Sequence, residues 1–105
     1  VGTLHYDGVE IRFDDEVLAH LETVIVNKLR RREGFVLSWR QPTIGRSTVW
    51  LDPSIPLRFE YDSEEAPHLE RDWVESLMVS ANGSGGLVVT DRQGEPLRAE
   101  LVVSV

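Results

Sequence analysis

The sequence predicts an α+β domain, a mainly antiparallel sheet with two helices packed on one face, in the order ββαβββαβ with a further strand at the end. Three observations carry that expectation. Several short stretches alternate apolar and polar residues at the two-residue period of a half-buried strand. Two longer stretches repeat apolar residues at helical spacing. Clusters of Gly, Pro, Asp and Asn separate them. The chain has 105 residues, which predicts a single domain over 1–105.

Thr3 to Tyr6 and Val9 to Phe13 flank Asp7-Gly8, a pair that tolerates the positive φ of a tight hairpin. Asp14 or Asp15 then caps a helix, with acids set against its positive end. Val17, Leu18, Leu21, Val24, Ile25 and Leu29 form its apolar stripe. Lys28, Arg30, Arg31 and Arg32 close the last turn, and Gly34 is expected as the residue just past the end. Strict alternation follows in Phe35 to Arg40, Arg46 to Leu51, and Leu57 to Tyr61. These read as a three-stranded meander, with Phe35, Leu37, Trp39, Val49, Leu51, Leu57, Phe59 and Tyr61 covered by the helices. Pro67 suits the first position of a second helix, whose stripe is Leu69, Trp73, Val74, Leu77, Met78 and Ala81. Asn82-Gly83-Ser84-Gly85-Gly86 ends it, Leu87 to Thr90 is β-prone, and Leu97 to Val105 alternates as a last strand.

Composition narrows the function classes. The absence of cysteine excludes disulfides, thiolate metal sites and thiol nucleophiles. No apolar run approaches the ~18 residues of a membrane helix. The first residues show no signal-peptide pattern, so a cytoplasmic location is expected, with no membrane partner. The net charge of −7 is lopsided. Lys28 to Arg58 carries seven basic and two acidic residues, and the remainder four basic and sixteen acidic. Overall acidity opposes indiscriminate binding to nucleic acid, but a local basic zone survives.

Candidate chemistry is sparse. His5, His20 and His68 are scattered, and His20-Leu21-Glu22 lacks the second histidine of a helical zinc pair. His68 beside Glu64 and Glu65 has ligand-like spacing on a helix, yet acids at a helix start are expected there for the dipole alone. Asp14-Asp15-Glu16, Glu64-Glu65 and Glu70-Arg71-Asp72 read as solvated charges. The glycine-rich stretch follows a helix, whereas a phosphate cradle precedes one. No metal and no cofactor is expected, and no catalytic residue is nominated. The sharper signal is the outer sheet face, where Trp50 stands among Arg40, Arg46 and Arg58. Lys28, Arg30, Arg31 and Arg32 complete the candidate binding surface.

A set of short runs adds a resemblance: Gly2 to Tyr6, Leu18 to Leu21, Lys28 to Arg31, Phe35 to Arg40, Val49 to Leu57, Trp73 to Leu77, and Ala81-Asn82. Together they resemble a family of small uncharacterised actinobacterial domains of unknown function, whose members often carry the label "ATP-dependent DNA ligase". The resemblance spans roughly residues 2 to 90. Where that family has His before Pro-Ser-Ile-Pro, this chain has Asp52. A ligase needs a nucleophilic lysine in a Lys-x-Asp-Gly setting. Lys28 is the sole lysine and is followed by Leu29-Arg30-Arg31, so no autonomous ligase is expected. Three readings remain: a non-enzymatic interaction module working through the outer sheet face or as a homodimer through a strand edge in 97–105, a nucleic-acid-binding accessory protein using the basic zone, and a small-molecule enzyme with a dispersed site for which no residue is nominated.

Overall fold

The structure, a computed structural model, describes residues 1–103. Nine elements follow the expected order: β1 (Gly2–Tyr6), β2 (Val9–Phe13), α1 (Asp15–Arg30), β3 (Phe35–Arg40), β4 (Arg46–Leu51), β5 (Leu57–Glu60), α2 (Arg71–Asn82), β6 (Leu87–Val88) and β7 (Glu100–Val103). The α+β class holds, and the ladders between these strands are antiparallel except that of β3 with β6. The strands divide into two sheets, ordered β5-β1-β2-β7 and β4-β3-β6. One buried cluster joins both sheets to both helices, with Leu4, Ile11, Leu18, Leu21, Leu37 and Leu77 among its members.

The meander is where expectation and structure part. β4 pairs with β3 as alternation implies, but β5 leaves and pairs with β1. Pro53 and Pro56 lie in the connection and withhold the N–H donors a third ladder would need. Asp52 shapes the bend instead. Its carboxylate accepts the Ser54 hydroxyl at 2.6 Å and the Ser54 N–H at 2.9 Å. These bonds, the hydroxyl's foremost, hold Asp52 below the usual carboxylate range. Phe35, Leu37, Trp39 and Leu51 are buried, while Val49, Leu57, Phe59 and Tyr61 pack against the core half-buried.

The first helix starts where expected, but its end and the start of the second helix differ from expectation. Asp14 holds the N-cap position of α1 with no side-chain cap bond. At the far end Arg32, at φ 59°, takes the left-handed conformation expected of Gly34. Arg32 N–H reaches Leu29 O at 2.9 Å and Glu33 N–H reaches Lys28 O at 3.2 Å, closing a Schellman-type end. Gly34 has another duty. A Cβ there would stand 2.6 Å from Cζ2 of Trp50. The second helix begins at Arg71 rather than Pro67 because Glu70 N–H is donated to His20 Nε2 at 2.8 Å, which fixes the preceding segment against α1.

The tail strand finds partners within the chain. Arg40 N–H donates to Leu97 O at 3.1 Å and Ala99 N–H to Arg40 O at 2.9 Å, beside the end of β3. Thr90 and Pro96 form the single bridge of the expected hairpin across Gly94. β7 then pairs with β2 in the other sheet. Ser104 and Val105, the end of the expected strand, lie outside the described residues.

The tie between the sheets is Tyr6, which is 3% exposed. Its hydroxyl donates to Trp50 O at 2.8 Å and accepts Asp52 N–H at 3.0 Å. Tyr6→Phe leaves both backbone groups without that partner, and we expect a loss of about 1–3 kcal/mol in denaturant unfolding with little change in slope. An unchanged midpoint would show that the hydroxyl is not a structural tie.

Candidate functional site

Alternation along β3 sends Phe35, Leu37 and Trp39 inward, so Val36, Ser38 and Arg40 face out. The register with β4 pairs Val36 with Trp50, Ser38 with Thr48, and Arg40 with Arg46, placing all six on one outer face. β6 adds Val88 opposite Ser38. Trp50 is 55% exposed, and the bare backbone of Gly34 makes room for one edge of its ring. At the far end, the connection between β3 and β4 and the tail enclose a cleft of about 490 Å³ lined by Ser38, Arg40, Ile44, Arg46, Pro96 and Arg98. Ile44 stands at its rim 87% exposed.

The basic residues singled out from sequence do not form one patch. Arg40 and Arg46 meet at the cleft. Arg30 and Arg32 border a separate cleft with Asp52, Pro53 and Ser54. Arg31 lies 3.9 Å from Glu33, and Arg58 lies 3.9 Å from Glu60 on the other sheet. Lys28 requires correction as a surface cation. It is 7% exposed, with Nζ 2.8 Å from Glu33 and donating to Asn82 Oδ1 at 3.0 Å. A helical register that turns it toward the start of β3 buries it, and these partners compensate its charge. Its hydrogen bond in turn holds the Glu33 carboxyl below the usual range. Sequence reading missed Arg98 and Ile44. An isoleucine inside Gln41-Pro42-Thr43-Ile44-Gly45 was a readable signal, because a turn offers it no core. Arg98 gave none, since its place depends on the tail running beside β3.

Residues 1–92 match a family described as a domain of unknown function, DUF7882. The chain belongs to that family. No curated protein and no solved structure matches it. The open sheet face of this DUF7882 domain lies within the matched residues, whereas Pro96 and Arg98 come from beyond them. No helix among the described residues is long and apolar enough to cross a membrane.

The histidines of the DUF7882 domain are dispersed, and the described residues hold no metal-binding group of three His, Asp or Glu. His5 Nε2 lies 2.7 Å from Glu60, on the outer face of the first sheet. His68 is exposed ahead of α2, so the helical ligand spacing with Glu64 and Glu65 does not arise. His20 is fully buried and stacks on Trp73 with ring centroids 4.0 Å apart. Because Nε2 accepts from Glu70, Nδ1 carries the proton and donates to Glu16 O at 2.6 Å. Arg92 closes the group, pairing with Glu16 and Glu70 and lying over the Trp73 ring at 5.9 Å.

Burial pushes the His20 imidazole below its ordinary value of 6.5, with Glu70 opposing and His68 assisting. The unfolded chain therefore takes up this proton first as pH falls. The stabilisation from neutral His20 is complete above about pH 6.5 and declines below it, by no more than about 1.4 kcal/mol per unit. We expect the wild-type chain to lose more stability than His20→Gln between pH 7.5 and 5.5 in denaturant titrations. Parallel pH profiles would remove His20 from this role.

Proposed function

We propose that this DUF7882 domain is a non-enzymatic, cytoplasmic interaction module whose working surface is the open face of the β4-β3-β6 sheet. One observation carries the reading: a sheet face that displays a half-exposed tryptophan and two outward arginines, with an almost fully exposed isoleucine on the connection at its end. Isolated apolar residues on a surface are ordinary, but an aromatic on an open sheet beside a cleft marks a contact surface. The reactive side chains support the same reading by their occupations. Lys28 is held by Glu33 and Asn82, His20 by two backbone groups, and Tyr61 donates its hydroxyl to Glu22 at 2.5 Å. A lysine so engaged is poorly placed to attack a nucleotide phosphate.

A photo-crosslinking residue at Thr48, exposed on this face, tests the module directly in the producing cell. We expect an adduct there and none from the same residue at Arg12, exposed on the other sheet. Equal adducts at both positions, or none at Thr48, would refute the assignment of this face. Incubation with labelled ATP followed by denaturing electrophoresis should leave the chain unlabelled, and a stable Lys28 adduct would make it a nucleotidyl-transfer enzyme.

The nucleic-acid reading draws less support, because its basic residues are divided among three regions and Lys28 is buried. A continuous backbone track would show as a steep fall of oligonucleotide affinity with salt. We expect no such slope with single- or double-stranded oligonucleotides. Self-association is a second reading favoured by one observation: among the described residues β7 ends its sheet and pairs with β2 alone. Light scattering that gives a dimer supports it, and a monomer removes it.

A further inference from the structure

Three arginines stand in a row at the cleft. Arg46 and Arg40 are direct cross-strand partners, and Arg40 forms a parallel bridge with Arg98. Direct cross-strand neighbours lie about 4.5–5.5 Å apart at Cβ, a spacing at which like charges destabilise a sheet. This happens in a chain with 18 acidic residues against 11 basic ones. Yet residues 34–51, which form the floor and one wall of the cleft, include no acid at all. Neither Arg40 nor Arg46 has a carboxylate in ion-pair contact among the described residues, while Arg31, Arg58 and Arg71 have one each and Arg92 has two.

Arg98 is fixed rather than loose. Its Nη1 donates to Gln41 O at 2.6 Å and to Thr43 O at 3.2 Å, clamping the connection that forms the rim. The cleft's volume of about 490 Å³ lies within the ~300–1,000 Å³ of small-molecule sites. Ser38 offers a hydroxyl at the floor, and Val88, Pro96 and Ile44 offer apolar surface beside it.

We infer that this cleft binds a small phosphorylated molecule, its dianionic phosphate against Arg40, Arg46 and Arg98 and its apolar body against Ile44, Pro96 and Val88. The charge count selects the ligand: one carboxylate leaves most of three guanidiniums uncompensated, whereas a phosphate monoester presents nearly two charges and three acceptor oxygens to planar donors. This inference rests on the open face being the working surface, and names what its far end holds.

Phenyl phosphate is the probe, with benzoate as the carboxylate of matched ring and inorganic phosphate as the headgroup alone, each titrated calorimetrically into the full chain. We expect saturable binding of phenyl phosphate, at least about tenfold tighter than either control. Arg46→Gln, at an exposed position, should weaken it about tenfold or more, and Arg58→Gln on the other sheet should leave it unchanged. Amide spectra of both variants that overlay the wild type away from the substitution confirm that they fold. No saturation by phenyl phosphate, equal affinity for benzoate, or equal losses in the two variants would overturn the inference. A Thr48 adduct that persists alongside such a result would locate the failure in the phosphate site and leave the interaction surface standing.

Discussion

The Tyr6 hydroxyl is the point on which the two-sheet arrangement turns. A chain of this size has one core to share, and here two separate sheets must close around it. The β4–β5 connection is where they would come apart, because the strand leaves one sheet for the other and its prolines cannot carry a ladder. Tyr6 spans that gap from β1, meeting Trp50 O and Asp52 N–H on either side of the last residue of β4. With the exit of β4 fixed, β5 is delivered to β1, the Asp52–Ser54 bend is set, and Trp50 is held on the face opposite the core. The exposed aromatic and the interior bond are thus two consequences of one residue's position.

A second tie acts between the helices. His20 brings a fixed tautomer to the junction of α1 with the start of α2, and Trp73 carries the contact onward by donating Nε1–H to Thr90 O at 3.1 Å. Lys28 performs a similar service at the opposite end of α1, reaching Asn82 at the end of α2. Polar side chains therefore tie the two helices near both ends while leucines fill the space between. Such bonds contribute modestly to net stability when satisfied, but leaving a buried partner unpaired is costly, so they favour this docking over nearby alternatives.

What was legible in the sequence was local. The β1–β2 hairpin, the stripe of α1 and the inward set Phe35, Leu37, Trp39 all follow from period and turn chemistry, which act over a few residues. The outward placement of Trp50 followed as well, since two alternating strands in register leave little choice of face. What was not legible depends on residues far apart. Nothing in Leu57 to Glu60 says that β1 will be its neighbour, and nothing near Lys28 says that Asn82 will accept its ammonium. A charged helix terminus looks solvated until the partner that buries it is known. Arg98 illustrates the same limit at the cleft, because only the path of the tail sets it beside Arg40. Gly34 shows a subtler version: a glycine after a helix invites a capping explanation, while the actual constraint came from an aromatic ring sixteen residues later.

The route of the tail has a consequence for how the chain reaches this state. Leu97 to Ala99 complete one sheet beside β3, and residues 100–103 complete the other beside β2, so the last segment stitches together strands made much earlier. Long-range pairing of this kind is entropically late and slow to form. During synthesis, the hairpin finds β5 within the first sixty residues, but α1 waits for α2, and the free sides of β2 and β3 wait as well. Until the tail emerges, β2 presents an unpaired backbone edge to other nascent chains, and β3 keeps one at Arg40 even after β6 has paired with Leu37 and Ser38. The vulnerable period in the life of this protein is therefore the interval between making β2 and making residue 103.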